Sequence, residues 1–241
     1  MAYNPLSGID YLLKYVITGC YAGKSAIVRR YTTGIFSNSK IMTIGVEFDS
    51  KNVIINDKVY IIQIWDLCGQ DKFKSITKGY YKGAACILIV YDITNKETFN
   101  NLEKLINESK EYSHKTTYIV LVGNMADLEE KRQVSFEEGK KFANKYGIDF
   151  YETSAKTGQN INEIFLNPAK EIDKRIFQGY YNFDDEECVI KKGLGKQIKK
   201  NHDKKIKQKL ILENKNNKKL LLNNNLEISL QLDKLFKFLN Y

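Results

Sequence analysis

With 241 residues, the chain has room for one domain with a sizeable core plus a long appendage. Its formal charge of +9 is uneven: residues 196–241 carry 12 Lys, no Arg and 4 acids, while the rest balances 26 basic against 25 acidic side chains. The basic excess, ordinarily a sign of nucleic acid or an anionic surface, therefore belongs to the tail alone. The longest apolar run, Ala84 to Tyr91, falls far short of the roughly 20 residues a bilayer span needs. A secretory leader is not expected, since the start lacks a basic stretch and Lys14 interrupts its apolar segment. Cys20, Cys68, Cys86 and Cys188 include no C-x-x-C pair, which argues against a disulfide framework and a zinc site and for a cytosolic protein.

In chain order, residues 1–10 read as an N-terminal extension and residues 11–180 as the domain. Leu12 to Thr18, Lys58 to Trp65, Ala84 to Tyr91, Tyr118 to Val122 and Phe150 to Thr153 are short, β-branched and aromatic, as strands buried on both faces of a parallel sheet should be. Glu47 to Ile55 and Lys58 to Trp65 flank Asn56-Asp57, a two-residue turn signal for an antiparallel hairpin. Glu97 to Tyr112, Ser135 to Tyr146 and Asn160 to Phe177 carry apolar residues at helical spacing. Ser135 with Glu138 makes a capping box, and Gly147 stands at a helix end. The alternation predicts a doubly wound α/β fold. Residues 181–195 read as a linker, and residues 196–241 as a Lys/Asn-rich disordered tail with a short amphipathic helix near 226–239.

The first strand runs into TGCYAGKS, residues 18–25, and then into a helical stretch. A strand, a turn of small residues and Gly-Lys-Ser opening a helix make an anion site: backbone N–H groups face the phosphates, Lys24 brings a point charge and Ser25 a magnesium ligand. Further motifs follow in order: TIGVEF at 43–48, WDLCGQ at 65–70, NMAD at 124–127 and ETSAK at 152–156. Together they resemble the small Ras-like GTPases, and with SITKGYYKGAA and VYDIT the Rab family, closest in wording to its endoplasmic reticulum/Golgi branch.

The resemblance implies a P-loop small GTPase fold: a mostly parallel six-stranded sheet with one antiparallel hairpin strand and helices on both faces. It implies GTP or GDP and Mg2+ as ligands, with Gly19, Ala22, Gly23, Lys24, Ser25 and Ala26 around the phosphates and Ser25, Thr43 and Asp66 at the metal. Gly69 resembles the residue whose N–H meets the γ-phosphate, and Gln70 the catalytic residue that orients the attacking water. Asp127, an acceptor-only carboxylate, can take the N1 and N2 donors of guanine, a pair adenine lacks. Asn124, Met125, Ser154, Ala155, Lys156 and Phe36 complete the implied nucleotide site. Phe48, Trp65 and Tyr80 match the aromatic triad through which Rab effectors read the switch. The implied role is a switch that hydrolyses GTP slowly in vesicle-mediated transport, at endomembranes, with an exchange factor, an activating protein and effectors as partners.

Three departures qualify this. The family loop has four residues between its glycines, but only Cys20, Tyr21 and Ala22 separate Gly19 from Gly23; either the loop is one residue short or Thr18 takes the first glycine's place. Met125 stands where the pattern wants lysine. The last cysteine, Cys188, lies 53 residues before Tyr241, so no prenyl anchor is expected and membrane contact falls to the basic tail. Loop and Met125 keep a second reading open, a degenerate GTPase acting as a scaffold with little hydrolysis. Nucleic-acid binding is not expected, because Phe236, Phe238 and Tyr241 cluster at the end of an Arg-free tail instead of interleaving with its lysines.

Overall fold

Apolar strands too short to hide both faces alone are covered here by helices above and below. The structure, a computed structural model, describes residues 8–37, 43, 45–69 and 74–193, with only the backbone at 74–77. Gln70, the tail at 196–241 and its helix near 226–239 lie outside the described residues.

The elements are β1 (Tyr11–Thr18), α1 (Lys24–Thr33), β2 (Val46–Ile55), β3 (Lys58–Leu67), α2 (Lys74–Tyr81), β4 (Cys86–Asp92), α3 (Lys96–Asn100), α4 (Leu102–Tyr112), β5 (Tyr118–Asn124), α5 (Phe136–Tyr146), β6 (Asp149–Glu152), α6 (Ile161–Phe177) and β7 (Ile190–Lys192). The sheet order is β2-β3-β1-β4-β5-β6, parallel from β3 to β6, with β2 antiparallel to β3 and β7 antiparallel to β1. The chain passes from β1 to β2 and β3 on one side of it and then from β3 to β4 on the other, and the carboxyl end of such a central strand is where open α/β sheets bind ligands.

Every residue of β4 is buried, and alternation sends Cys86, Leu88 and Val90 to one core and Ile87, Ile89 and Tyr91 to the other. The first core lies under α1 and α6, where Tyr31 stacks on Phe165 at 4.0 Å. The second lies under α2, α4 and α5, around Tyr81, Leu102, Leu105 and Ala143. Each fully buried side chain of this size contributes about 1.5–3 kcal/mol.

The β2–β3 turn matches its signal, with Asn56 and Asp57 both in the left-handed region. The capping box of Ser135 and Glu138 is formed and Gly147 closes α5 with φ 63°. The single helix expected over 97–112 is two, parted at Asn101, whose side-chain amide and backbone N–H both donate to Glu97 O. The stretch over 74–81, not marked as helical in the sequence, forms α2.

The linker expected over 181–195 needs correction for its described part. Tyr181, Cys188, Val189 and Ile190 are buried, and β7 pairs with Tyr11 to Leu13 of β1. The physical reason is a free edge: β4 meets β1 only from Tyr15 onward, so the first turn of β1 has unpaired backbone on that side. β7 therefore adds a seventh strand, and Gly193 N donates to Asp10 O at 2.8 Å.

Candidate functional site

At the carboxyl ends of β1, β3, β4, β5 and β6 lies a cavity of about 940 Å3. Its phosphate-loop side begins at Gly19, which has φ 135° and so little clearance that an added Cβ would stand 2.0 Å from Val90 O. Thr18, by contrast, is a strand residue that pairs with Ile89 and accepts a hydrogen bond from Tyr81 Oη. Thr18 thus ends the strand six residues before Lys24, Gly19 turns the chain out of it, and Cys20, Tyr21 and Ala22 separate Gly19 from Gly23. Tyr21 takes a left-handed conformation at φ 48° and is 66% exposed.

Lys24 is buried and donates from Nζ to Gly19 O at 2.7 Å. Burial lowers its pKa, and the nearby Asp66 opposes that shift. Gly23 caps α1 with φ 72°, and a Cβ there would meet Asn124 Nδ2 at 2.7 Å. A Cβ on Gly69 would stand 2.6 Å from Gly19 O and 3.2 Å from Lys24 Nζ, so the loop after β3 closes directly on the phosphate loop. Three glycines thus keep a hollow of bare backbone, the shape a polyphosphate needs.

The three oxygens expected at the metal meet. Ser25 Oγ lies 2.7 Å from Thr43 Oγ1 and donates a short hydrogen bond to Asp66 Oδ2, which Thr43 Oγ1 also reaches at 3.3 Å. Asp66 Oδ1 is buried with no hydrogen-bond partner among the described residues. Burial raises the Asp66 pKa, while Lys24 and the Ser25 hydroxyl pull it down. Two hydroxyls and a carboxylate with a spare buried oxygen are the donors a hard divalent cation takes, so these residues fit magnesium.

The other end is a hydrogen-bonded frame. Asn124 donates from Nδ2 to Ala22 O at 2.9 Å and accepts from Thr153 Oγ1 at 3.1 Å, tying β5, the phosphate loop and the end of β6 together. Asp127 Oδ1 accepts from Ser154 Oγ at 2.6 Å, and Lys156 Nζ stands 4.0 Å from its other oxygen. Met125 lies in the left-handed region with Cε over Gly23, at 3.4 Å from where a Cβ would sit. Phe36, Ala26, Ala155 and Lys156 line the cavity; Gly19, Asp66 and Ser154 stand behind its wall.

The Ras family profile matches residues 14–174. The chain belongs to the Ras family. It is thus a small GTPase of the P-loop fold, a class that binds GTP or GDP with magnesium, hydrolyses GTP and works through regulators and effectors.

Sequence reading missed several wall residues of this Ras family site. Arg29 lies four residues after Ser25, hence on the same helix face, and Lys131 lies beyond Leu128; both are exposed and open on the cavity. Helical spacing from Ser25 could have marked the first. Outside the cavity, Phe48 meets Trp65 across the hairpin at 5.0 Å between centroids, and Trp65 meets Tyr80 at 5.2 Å. Lys14 Nζ lies under this row, 5.7 Å from Trp65 and 5.8 Å from Tyr80.

Proposed function

We propose that this Ras family protein is a Rab-type switch in vesicle-mediated transport between endoplasmic reticulum and Golgi, hydrolysing GTP slowly and recruiting effectors in its GTP state. The observation that carries the reading is the continuous row Phe48–Trp65–Tyr80, which joins β2, β3 and α2 and leaves Phe48 53% exposed. Aromatics on elements flanking both nucleotide-sensing loops repack when the γ-phosphate leaves, and a partner reads that change.

The resemblance to the family assigns the roles. Lys24 and the N–H groups at the start of α1 would bind the phosphates, and Ser25, Thr43 and Asp66 would hold magnesium. Magnesium, when bound, would supply positive charge beside the phosphates. Asp127 accepts from guanine N1 and N2, the backbone of Ala155 and Lys156 donates to O6, and Phe36 covers the base. Gln70 orients the attacking water.

Trp65 is the chain's single tryptophan. Its emission should change when GDP is exchanged for a non-hydrolysable GTP analogue, and identical spectra would rule out a switch read at this row. In cells, the full chain should sit on endoplasmic reticulum and Golgi membranes; a uniformly diffuse distribution would contradict the transport role. Vesicles with anionic lipids should bind the full chain weakly and release it with salt, through the tail lysines at about 1 kcal/mol each.

One observation favours a second reading, a scaffold with little hydrolysis: only three residues separate Gly19 from Gly23, with Tyr21 forced left-handed among them. A loop one residue short would lack one N–H of the cradle, and in either register a Cβ stands where the family keeps glycine.

A further inference from the structure

Arg132 lies outside the cavity wall and carries no role in any motif above, yet its side chain is only 17% exposed and every donor edge is used. Nη1 and Nη2 donate to the two oxygens of Glu152 at 2.6 and 2.8 Å. Nε reaches both oxygens of Glu129 at 2.9 Å, Nη2 adds a 2.7 Å bond to Glu129 Oε2, and Nη1 donates to Val134 O at 2.9 Å. These hydrogen bonds to Glu152 and Glu129 raise the Arg132 pKa, so the cation persists at any ordinary pH.

The two carboxylates stand on the two segments that carry Asp127 and Ala155. Glu129 follows Asp127 by two residues. Glu152 ends β6, immediately before Thr153 and Ser154, whose hydroxyls hold Asn124 and Asp127. Asn160 Nδ2 adds a 2.7 Å bond to Glu152 O on the same strand end. The turn bearing Arg132 is itself fastened to the end of β4, since Gln133 N and Val134 N both donate to Ile93 O. A planar fork bridging two carboxylates fixes distance and angle together, which a point charge cannot do.

We propose that Arg132 is a positioning residue for base recognition: by clamping the segment after Asp127 to the end of β6, it sets the spacing between the Asp127 carboxylate and the Ala155 backbone, and through it the rate at which guanine nucleotide leaves. This rests on the reading that the cavity takes a guanine nucleotide.

The test is release of fluorescent GDP and inosine diphosphate from the full chain, wild type against Arg132→Gln, Arg132→Lys and Glu129→Gln. Inosine lacks the 2-amino donor, so it has less to lose when Asp127 shifts. Arg132→Gln should speed GDP release about 10- to 100-fold and bring the GDP and inosine diphosphate rates closer together. Arg132→Lys should restore only part of the wild-type rate. Glu129→Gln cuts only the outer, 70% exposed arm; it should speed release about threefold and narrow the same ratio, and it carries the test if Arg132→Gln does not fold. Equal acceleration of both nucleotides, wild-type rates in Arg132→Gln, or full rescue by Arg132→Lys would overturn the inference. A wild-type chain that fails to bind GDP would instead sink the nucleotide reading, which separates the two failures.

Discussion

The two ends of one cavity are built to different standards. At the base end, Asn124, Asp127, Thr153, Ser154 and Glu152 are joined side chain to side chain or to backbone, and Asn124 and Glu152 are buried. At the phosphate end only three residues separate Gly19 from Gly23, Tyr21 holds a left-handed conformation costing about 1–3 kcal/mol, and Gly69 closes on Gly19 and Cys20. Binding tolerates a lost donor, because the remaining contacts persist. Hydrolysis needs water, γ-phosphate and charge in line, so a small displacement costs more there. On the proposed reading, the contrast predicts a protein that keeps its choice of base while giving up rate.

The comparison breaks most sharply at Lys24. Its buried ammonium is the one full positive charge on residues 18–25, so Lys24→Ala should weaken GDP binding at least about 100-fold, measured by calorimetric titration. Asp127→Asn should come next, turning an acceptor pair into a mixed one and shifting preference from GTP toward xanthosine triphosphate about 10- to 100-fold; unchanged competition between the two nucleotides would remove Asp127 from base recognition.

A repair of the phosphate end sharpens the same contrast. Inserting a glycine between Tyr21 and Ala22 should raise single-turnover GTP cleavage about tenfold or more with little change in base preference. Met125→Lys should restore an ammonium beside the phosphate loop and raise affinity by up to about tenfold without touching cleavage. Wild-type cleavage equal to that of ordinary relatives, with no gain from either repair, would mean the short loop is no lesion.

Much of this contrast was legible in the residues themselves. Strands such as β4 declare themselves because both faces are buried, and the motif residues fall where strand ends converge. The loop's register was open in the sequence, with Thr18 or Gly19 at the first glycine position; the backbone adds that Gly19 must lack a Cβ to pass Val90 O, which fits either register. β7 was not legible: three buried residues, Cys188, Val189 and Ile190, make too short a run, and what they cover is a gap beside β1 that exists only once β4 is placed. Arg132 was hidden for a related reason, as its partner Glu152 is 20 residues away.

The smallest effect concerns the start of α5, which leads into the base-end strand β6. Lys96, then Ser135, hold the Glu138 carboxyl down to about 2 from an ordinary 4.5. Its contribution is therefore present above about pH 4.5 and lost as pH falls toward 2. The group is exposed, so screening leaves about 0.5 kcal/mol. Thermal midpoints of wild type and Glu138→Gln should differ slightly at pH 6 and converge at pH 2 to 3; a constant gap would remove the ion pair from the account.

The most direct measurement of the central claim is titration of the purified full chain with GDP, GTP and ATP in the presence of magnesium. The account predicts binding of both guanine nucleotides, weaker than in typical relatives because of the altered loop and Met125, and no competition from ATP. No binding at high micromolar GDP, or ATP binding as well as GTP, would contradict it.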